Sequence, residues 1–305
     1  MDIAADRYDV GIVGAGPAGL SAALILGRCR RTVVVFDHGR PRNGRATAVH
    51  GYLGHDGISP HDFRSLGRRE VAEYGVVFVD EEITAVCCRE AAGGEPTGFE
   101  LTGVSGRLTR VQKLLLATGV ADEIPSVPGI HEFYGTTVHH CPYCDGWEHR
   151  DRRLVALGTG ESAVGLALLL RNWSADVTAC TNGADCSAAD LERLTRHGIG
   201  YRCERIVRTT GRAGILREIV FEDGPPHSCD ALFFQAMQSQ KSPLPAMAGC
   251  PIDDKAHVNT KHKQSTRVAG LYIAGDADGD VQFAIVAAAE GAIAATAIHR
   301  ELQGE

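Results

Sequence analysis

No stretch of this 305-residue chain is apolar for long enough to cross a bilayer. The longest runs, residues 163–170 and 283–289, fall well short of the roughly 20 residues a spanning helix needs. Residues 1–6 carry two aspartates and offer no signal-peptide core. Basic tracts are also missing and the net charge is −7, which excludes nucleic acid as a natural partner. Lysine is scarce: five lysines and 26 arginines make up the 31 basic residues, a bias that reports genome composition rather than function. These absences predict a cytoplasmic protein without a membrane partner. What is present, 44% hydrophobic and 23% charged residues, suits a soluble globular chain of one large or two ordinary domains.

Ten cysteines without a secretory signal read as reduced thiols rather than a disulfide framework. One pair stands apart by its spacing. The segment His139-His140-Cys141-Pro142-Tyr143-Cys144-Asp145-Gly146 holds a CxxC, and two thiols so placed can close to a disulfide and reopen while exchanging two electrons. Asp145 directly after the second cysteine and His140 directly before the first supply proton donors and acceptors. Half of a zinc site has the same spacing, with His139 or His140 as a further ligand, but a structural zinc site usually brings a second similar pair. Cys29, Cys87, Cys88, Cys180, Cys186, Cys203, Cys229 and Cys250 offer none, so no metal is expected. CPYC is also similar to the glutaredoxin active site. That small fold carries the motif near its start, whereas here it lies mid-chain between nucleotide-binding signatures.

Residues 7–13 read as an apolar strand, followed by Gly14-Ala15-Gly16-Pro17-Ala18-Gly19 and a helix over residues 20–26. In this G-x-G-x-x-G, Gly14 makes the tight turn, Gly16 lets the backbone approach a pyrophosphate and Gly19 lets helix and strand pack closely. Pro17 and Ala18 open the helix, whose free N–H groups hold phosphates. A second strand over residues 32–36 ends at Asp37, about 20 residues on, where a carboxylate accepts hydrogen bonds from an adenosine ribose. The combination predicts a bound adenine dinucleotide. A second copy follows: a strand at 154–157, then Gly158-Thr159-Gly160-Glu161-Ser162-Ala163, then a helix at 164–171. Its Gly158, Gly160 and Ala163 make a second nucleotide loop, but Thr181 stands where Asp37 stood. Residues 181–191 contain no Lys or Arg to hold a 2′-phosphate, and Arg193 and Arg196 read as solvated helix residues.

Arg42, Asn43 and His50 fall in a glycine-rich polar stretch, residues 42–57, suited to a loop over a planar cofactor. Residues 61–74 read as a helix, 76–79 as a strand, 82–109 as a β-meander turning at Gly93, Gly94 and Gly103, and 111–116 as a strand ending in Ala117-Thr118-Gly119. Residues 120–129 read as a linker, and a second break falls at 238–245. Residues 270–277 run into Gly275-Asp276 before a helix over 282–302. Asp276 there suits the ribityl chain of a flavin, and the helix N-terminus at Gln282, Phe283 and Ala284 would stabilise negative charge on its ring.

GAGPAG, the ATG at 117–119, the CxxCDG at 141–146, GTGESA and the AGDA at 274–277 together resemble the low-molecular-weight thioredoxin reductase family over essentially the whole chain. The resemblance implies an α/β fold of two Rossmann-like, three-layer nucleotide-binding domains. Residues 1–121 and 239–305 would form a discontinuous FAD domain, and 122–238 an inserted pyridine-nucleotide-type domain carrying the CxxC. It implies a homodimer, with Cys144 facing the flavin, Cys141 exchanging with substrate and Asp145 as acid/base. The family's arginine-rich grip on NADPH is replaced here by Ala179-Cys180-Thr181-Asn182-Gly183, and the Arg-Gln-Ala that starts its last helix by Val281-Gln282-Phe283-Ala284. This weighs against NAD(P)H. The loop at 42–57 and the paired histidines look more like the subgroup of FAD-dependent dithiol oxidases and pyridine-nucleotide-independent relatives.

The expected function is therefore an FAD-dependent thiol–disulfide oxidoreductase acting on a dithiol or disulfide, either a thioredoxin-like protein or a small molecule. An NAD(P)H-dependent thioredoxin-disulfide reductase, a protein donor such as a ferredoxin and an oxygen-using dithiol oxidase differ in donor, acceptor and direction of flow. A flavin-containing redox sensor is the non-enzymatic alternative.

Overall fold

A computed structural model describes residues 6–90, 96–279 and 281–304. The expected turns at Gly93 and Gly94 lie outside the described residues. Among the described residues no helix is long and apolar enough to cross a membrane.

Two compact units emerge, one from residues 1–44, 51–121 and 238–305, the other from residues 45–50 and 122–237. In the first, β1 (Asp6–Val13) leads into α1 (Pro17–Arg28), β2 (Val33–Phe36), α2 (Pro60–Ala72) and β3 (Val77–Val79). A meander of β4 (Ile83–Glu90), β5 (Pro96–Gly103) and β6 (Leu108–Leu116) completes its first part. The chain passes out through β7 (Val120–Glu123), in the stretch expected to be a linker.

The second unit begins with β8 (Val138–His139), the one-turn helix α3 (Pro142–Asp145), β9 (Leu154–Leu157) and α4 (Glu161–Leu170). It continues through β10 (Val177–Cys180), α5 (Ala188–Arg196), β11 (Gly200–Arg202), β12 (Ile206–Arg212), β13 (Ile215–Phe221), β14 (His227–Ser228) and β15 (Ala231–Phe234). The return is through β16 (Met237–Gln240), which pairs with β7. The short α6 (Leu244–Met247), β17 (Leu271–Ile273) and α7 (Ala284–Glu301) finish the first unit.

The first unit's large sheet runs β3-β2-β1-β6-β5-β4, with β17 also on β6. Its β1, β2, β3, β6 and β17 pairings are parallel, whereas β4–β5 and β5–β6 are antiparallel. Parallel strands are covered on both faces, so they read as continuous apolar runs, and successive residues feed opposite cores. Val33 and Val35 join Val10, Ile12 and Leu115 under α1 and α7, while Val34 and Phe36 join Val13, Leu114 and Leu116 on the other side. The second unit repeats the plan in an all-parallel sheet, β11-β10-β9-β15-β8. There Ala156 and Phe233 face one core, and Leu157, Leu232 and Phe234 the other. An antiparallel β12-β13-β14 sheet is the remaining element.

Capping fixes where the helices start. Ser59 accepts from the Asp62 N–H at 3.0 Å with Pro60 in the first turn of α2, and Ser187 caps α5 through Asp190 at 3.1 Å. Helix α7 begins at Ala284, two residues later than expected, because Phe283 is still extended. It lies against α1 so closely that a Cβ on Gly291 would sit 2.0 Å from the Ala18 carbonyl oxygen. Arg193 and Arg196 lie on α5 in intrahelical pairs with Asp190 and Glu192.

Candidate active site

Cys141 is the N-cap of α3, Pro142 its first residue, and the i, i+3 spacing brings the sulfurs to one side. Cys141 and Cys144 are joined in a disulfide with their Cα atoms 5.3 Å apart. The Cys144 N–H donates to Cys141 Sγ at 3.1 Å, a hydrogen bond that strengthens on the thiolate. Gly146 closes the turn, and only glycine fits there. A Cβ would lie 2.5 Å from the Pro142 carbonyl oxygen and 2.8 Å from the Trp173 ring. Tyr143 packs edge-on against Trp173, with centroids 5.8 Å apart, and Tyr143 and Trp147 remain exposed.

The two histidines before the motif part company because they lie on successive residues of an extended segment. His139, paired in register with Phe233, is buried, with Nδ1 3.3 Å from Asp145 Oδ1 and Nε2 2.9 Å from His149 Nε2. His140 faces the other way. Its Nδ1 is 3.0 Å from the Tyr134 hydroxyl and its Nε2 3.8 Å from Asp122 Oδ2. The sequence expectation joined His140 with Asp145 in proton handling; the structure instead brings His139 to Asp145 and adds His149, which the sequence reading passed over. The available signal was the spacing from Asp145 to His149, one helical turn.

Burial, with the neighbouring His139 as the next cause, pushes the His149 pKa down to about 4, opposed by Asp145. Between about 6.5 and about 4 the unfolded chain binds a proton at this ring that the folded chain refuses, so stability should fall as the pH is lowered across that window and recover as it is raised. After screening at a partly exposed ring the loss should be on the order of 1–2 kcal/mol. Urea titrations of the protein and of His149→Gln across that range should show it in the first and lose it in the second.

The remaining thiols differ sharply from this pair. Burial pushes the Cys180 and Cys229 thiols up to about 12, which makes them inert, whereas Cys87, Cys88 and Cys203 are exposed.

In the first unit, Gly14 adopts φ +109, and a Cβ there would sit 2.2 Å from the Ala117 carbonyl oxygen, so the first loop and the Ala117-Thr118-Gly119 turn touch backbone to backbone. A Cβ on Gly19 would lie 1.9 Å from the Gly14 oxygen. Gly16 is different: it caps α1 at φ −80, and nothing lies within 4 Å of an added Cβ. Pro17 and Ala18 form the first turn of α1, which has no side-chain cap. Asp37, at the end of β2, accepts from Arg64, and Arg68 lies 3.4 Å away, both on Oδ2. Arg64 also donates to the Ala15 carbonyl at 3.3 Å, so it ties Asp37 to the loop, a reach across sequence that no motif announced.

At the other end of the unit, Arg42 donates to Asp276 Oδ2 at 2.8 Å and to Gln282 Oε1 at 2.7 Å. Gln282 exchanges amide hydrogen bonds with Gln238 at 2.7 and 2.8 Å. Buried Glu290 accepts from the Gly275 N–H at 2.6 Å. It is a lone acid in the alanine-rich run of α7, and that isolation was a signal in the sequence. Asn43 is exposed in the adjoining turn. His50 departs from expectation: residues 45–50 belong to the second unit, with His50 Nε2 3.5 Å from Glu148 and Arg45 donating to the His131 carbonyl at 3.0 Å. Local contacts of the segment, which glycine content does not encode, decide its placement.

These residues fit a flavin dinucleotide. The N-cap residues of α1 and α7, Gly16 and Phe283, make no side-chain cap hydrogen bond. Gly16 leaves open space, and the Thr118 hydroxyl is buried with no hydrogen-bond partner.

The second loop is built on its own contacts. Ser162 Oγ accepts from the Thr159 N–H at 3.1 Å and donates to the Thr159 carbonyl at 2.9 Å, with Gly158 against it. Gly160 adopts φ +50 at the cap, Glu161 opens α4 and Ala163 is buried. Thr181 is fully buried, its hydroxyl donating to the Ala184 carbonyl at 2.6 Å. Arg202 ends the neighbouring strand, but both its nearest acceptors, at 2.9 and 3.0 Å, are the carboxylate oxygens of Glu204.

The Pyridine nucleotide-disulphide oxidoreductase family matches residues 8–291. A probable thioredoxin reductase of Arthroderma benhamiae is 31% identical over 98% of this chain and 81% of its own length. Thioredoxin reductase tcpT of Claviceps purpurea is also 31% identical, over 88% of this chain and 86% of its own. The crystal structure of a putative thioredoxin reductase TrxB from Bacillus anthracis superposes with a TM-score of 0.91 at 30% identity, covering 97% of this chain and 99% of that one. A two-Rossmann-domain architecture and a closed CxxC disulfide thus agree with these likenesses: the chain belongs to the pyridine nucleotide-disulphide oxidoreductase family, as an FAD-dependent, thioredoxin reductase-like disulfide oxidoreductase.

Proposed function

We propose that this enzyme moves electron pairs between FAD and a dithiol or disulfide substrate through Cys141 and Cys144, with an electron donor or acceptor other than NADPH. In the oxidising direction a substrate thiolate attacks Cys141 Sγ, the bond between the two cysteine sulfurs breaks and Cys144 leaves as a thiolate. The second substrate thiol then attacks its partner sulfur in the mixed disulfide. Cys141 leaves, the substrate departs oxidised, and both electrons reside on the enzyme dithiol. Reduction of a substrate disulfide is the same sequence reversed. FAD, when bound, supplies the two-electron redox centre that reoxidises or reduces this pair. Asp145 handles the proton of the Cys144 thiolate.

In this reading residues 1–121 and 239–305 hold FAD through Gly14, Gly16, Gly19, Asp37, Thr118 and Asp276. Residues 122–238 are the inserted nucleotide-type domain, and the active form is a cytoplasmic homodimer. The observation that carries the departure from NADPH is at the end of β10, where the ribose-binding acid is replaced by a self-satisfied Thr181 and the nearby Arg202 is committed to Glu204. A phosphate there would have to displace a carboxylate from the arginine. The relatives bear the name thioredoxin reductase, which favours NADPH-driven reduction as the second reading. Anaerobic mixing with NADPH separates the two: the flavin band should persist for many turnover times, and rapid bleaching would establish the second reading.

A further inference from the structure

We infer that His139 and His149 form a two-ring proton relay that joins Asp145 to solvent, acting as positioning residues through Asp145. The inference rests on Asp145 being the acid/base for the Cys141–Cys144 pair and extends it to groups that never touch the substrate.

The contacts run in series. Asp145 Oδ1 lies 3.3 Å from His139 Nδ1, and His139 Nε2 lies 2.9 Å from His149 Nε2. Two facing imidazole nitrogens at hydrogen-bond distance share one proton, so one ring donates while the other accepts. The Thr136 carbonyl lies 3.1 Å from His139 Nε2 and also hydrogen-bonds His149, so it accepts from whichever ring carries that proton. Neither tautomer is then left with a buried unsatisfied N–H. Phe233 packs against both rings, with centroids 5.4 and 6.1 Å away, and holds them in place. His139 is buried while His149 is partly exposed, which gives the chain an inner and an outer end.

The proton count closes. When a substrate thiolate opens the disulfide, Cys144 Sγ leaves with the electron pair of the broken bond and accepts a proton through the Asp145 carboxylate, which takes it from His139 Nδ1. In the same event the His149 Nε2 proton passes to His139 Nε2, and water supplies a proton to His149 Nδ1. Both rings end as the opposite neutral tautomer, and the substrate's own thiol proton has gone to solvent. The reverse reaction runs the chain backwards. Burial is what chiefly disfavours a charge on His149; of the other groups facing the pair, Arg152 adds weakly to that effect and Asp145 opposes it.

The test measures opening of the Cys141–Cys144 disulfide in the FAD-loaded protein by dithiothreitol, followed by rapid alkylation and thiol counting. His149→Gln keeps a polar side chain but cannot pass a proton between two nitrogens. It should slow opening on the order of 10- to 100-fold, and imidazole added to the buffer should restore most of the rate. In the unmodified protein the rate in mixtures of light and heavy water should curve with deuterium content, as it does when several protons move together. A wild-type rate in His149→Gln, a slowed rate indifferent to imidazole, or a straight dependence on deuterium content would each overturn the relay. If dithiothreitol fails to open the disulfide of the unmodified protein at all, the disulfide mechanism itself falls and takes the relay with it.

Discussion

Cys141→Ser and Cys144→Ser should each lower dithiol–disulfide turnover on the order of 10,000-fold, the scale of deleting a nucleophile that works as one of a unit. Serine preserves the shape of α3, and the flavin should remain bound, so the protein should stay yellow. The two variants should nevertheless fail differently. With Cys141 intact and Cys144 gone, the Cys141 thiolate can attack a substrate disulfide, release the other substrate sulfur as a thiolate and stay joined as a mixed disulfide that no neighbouring thiol of the enzyme resolves, and mass spectrometry should find it. With Cys141 gone, Cys144 is the residue assigned to the flavin side, and no substrate adduct should accumulate. Counting thiols before and after reduction offers an independent check. Two extra thiols should appear in the unaltered protein and none in either variant, because the other described cysteines are all free.

The second large effect concerns the cofactor cradle and separates ligand from protein. Gly16→Ala meets no protein atom within 4 Å and keeps an ordinary φ of −80, so the fold should lose no more than about 1 kcal/mol at this helix cap. FAD affinity should nonetheless fall on the order of 100-fold, about 3 kcal/mol, since the methyl group would occupy the path of the pyrophosphate. Gly19→Ala should behave in the opposite sense. Its Cβ would lie 1.9 Å from the Gly14 carbonyl oxygen, so the loop and α1 must separate and stability falls with or without flavin. Equilibrium FAD titration alongside urea unfolding of both apoproteins measures the contrast. Unchanged FAD binding in Gly16→Ala would mean that the open space there is not where the dinucleotide lies.

Features set by a few consecutive residues were legible in the chain. Strand, glycine turn and helix at 7–28 follow from the apolar run, from Gly14 and Gly19 at close approaches and from Pro17 at the helix start. The one-residue alternation of Val33 to Phe36 between two cores follows from a doubly covered parallel strand. Features set by partners far along the chain were not. His139 and His140 are equivalent on paper, and only the pairing of β8 with β15 puts one beside Phe233 and Asp145 and the other beside Tyr134 and Asp122. Arg64 reaches Asp37 across two elements, and Gln238 reaches Gln282 across 44 residues. The supposed breaks at 120–129 and 238–245 hold β7 and β16, four residues each, too short for periodicity to reveal.

Thiol chemistry and flavin chemistry meet in one measurement, anaerobic mixing of the FAD-loaded protein with excess dithiothreitol while the visible flavin band is followed. The account predicts that the band bleaches in the unaltered protein and that bleaching is lost in Cys144→Ser, because electrons pass from the dithiol through the cysteine pair to the flavin. Bleaching of equal rate in Cys144→Ser, or a flavin that stays oxidised while the Cys141–Cys144 disulfide opens fully, would contradict it.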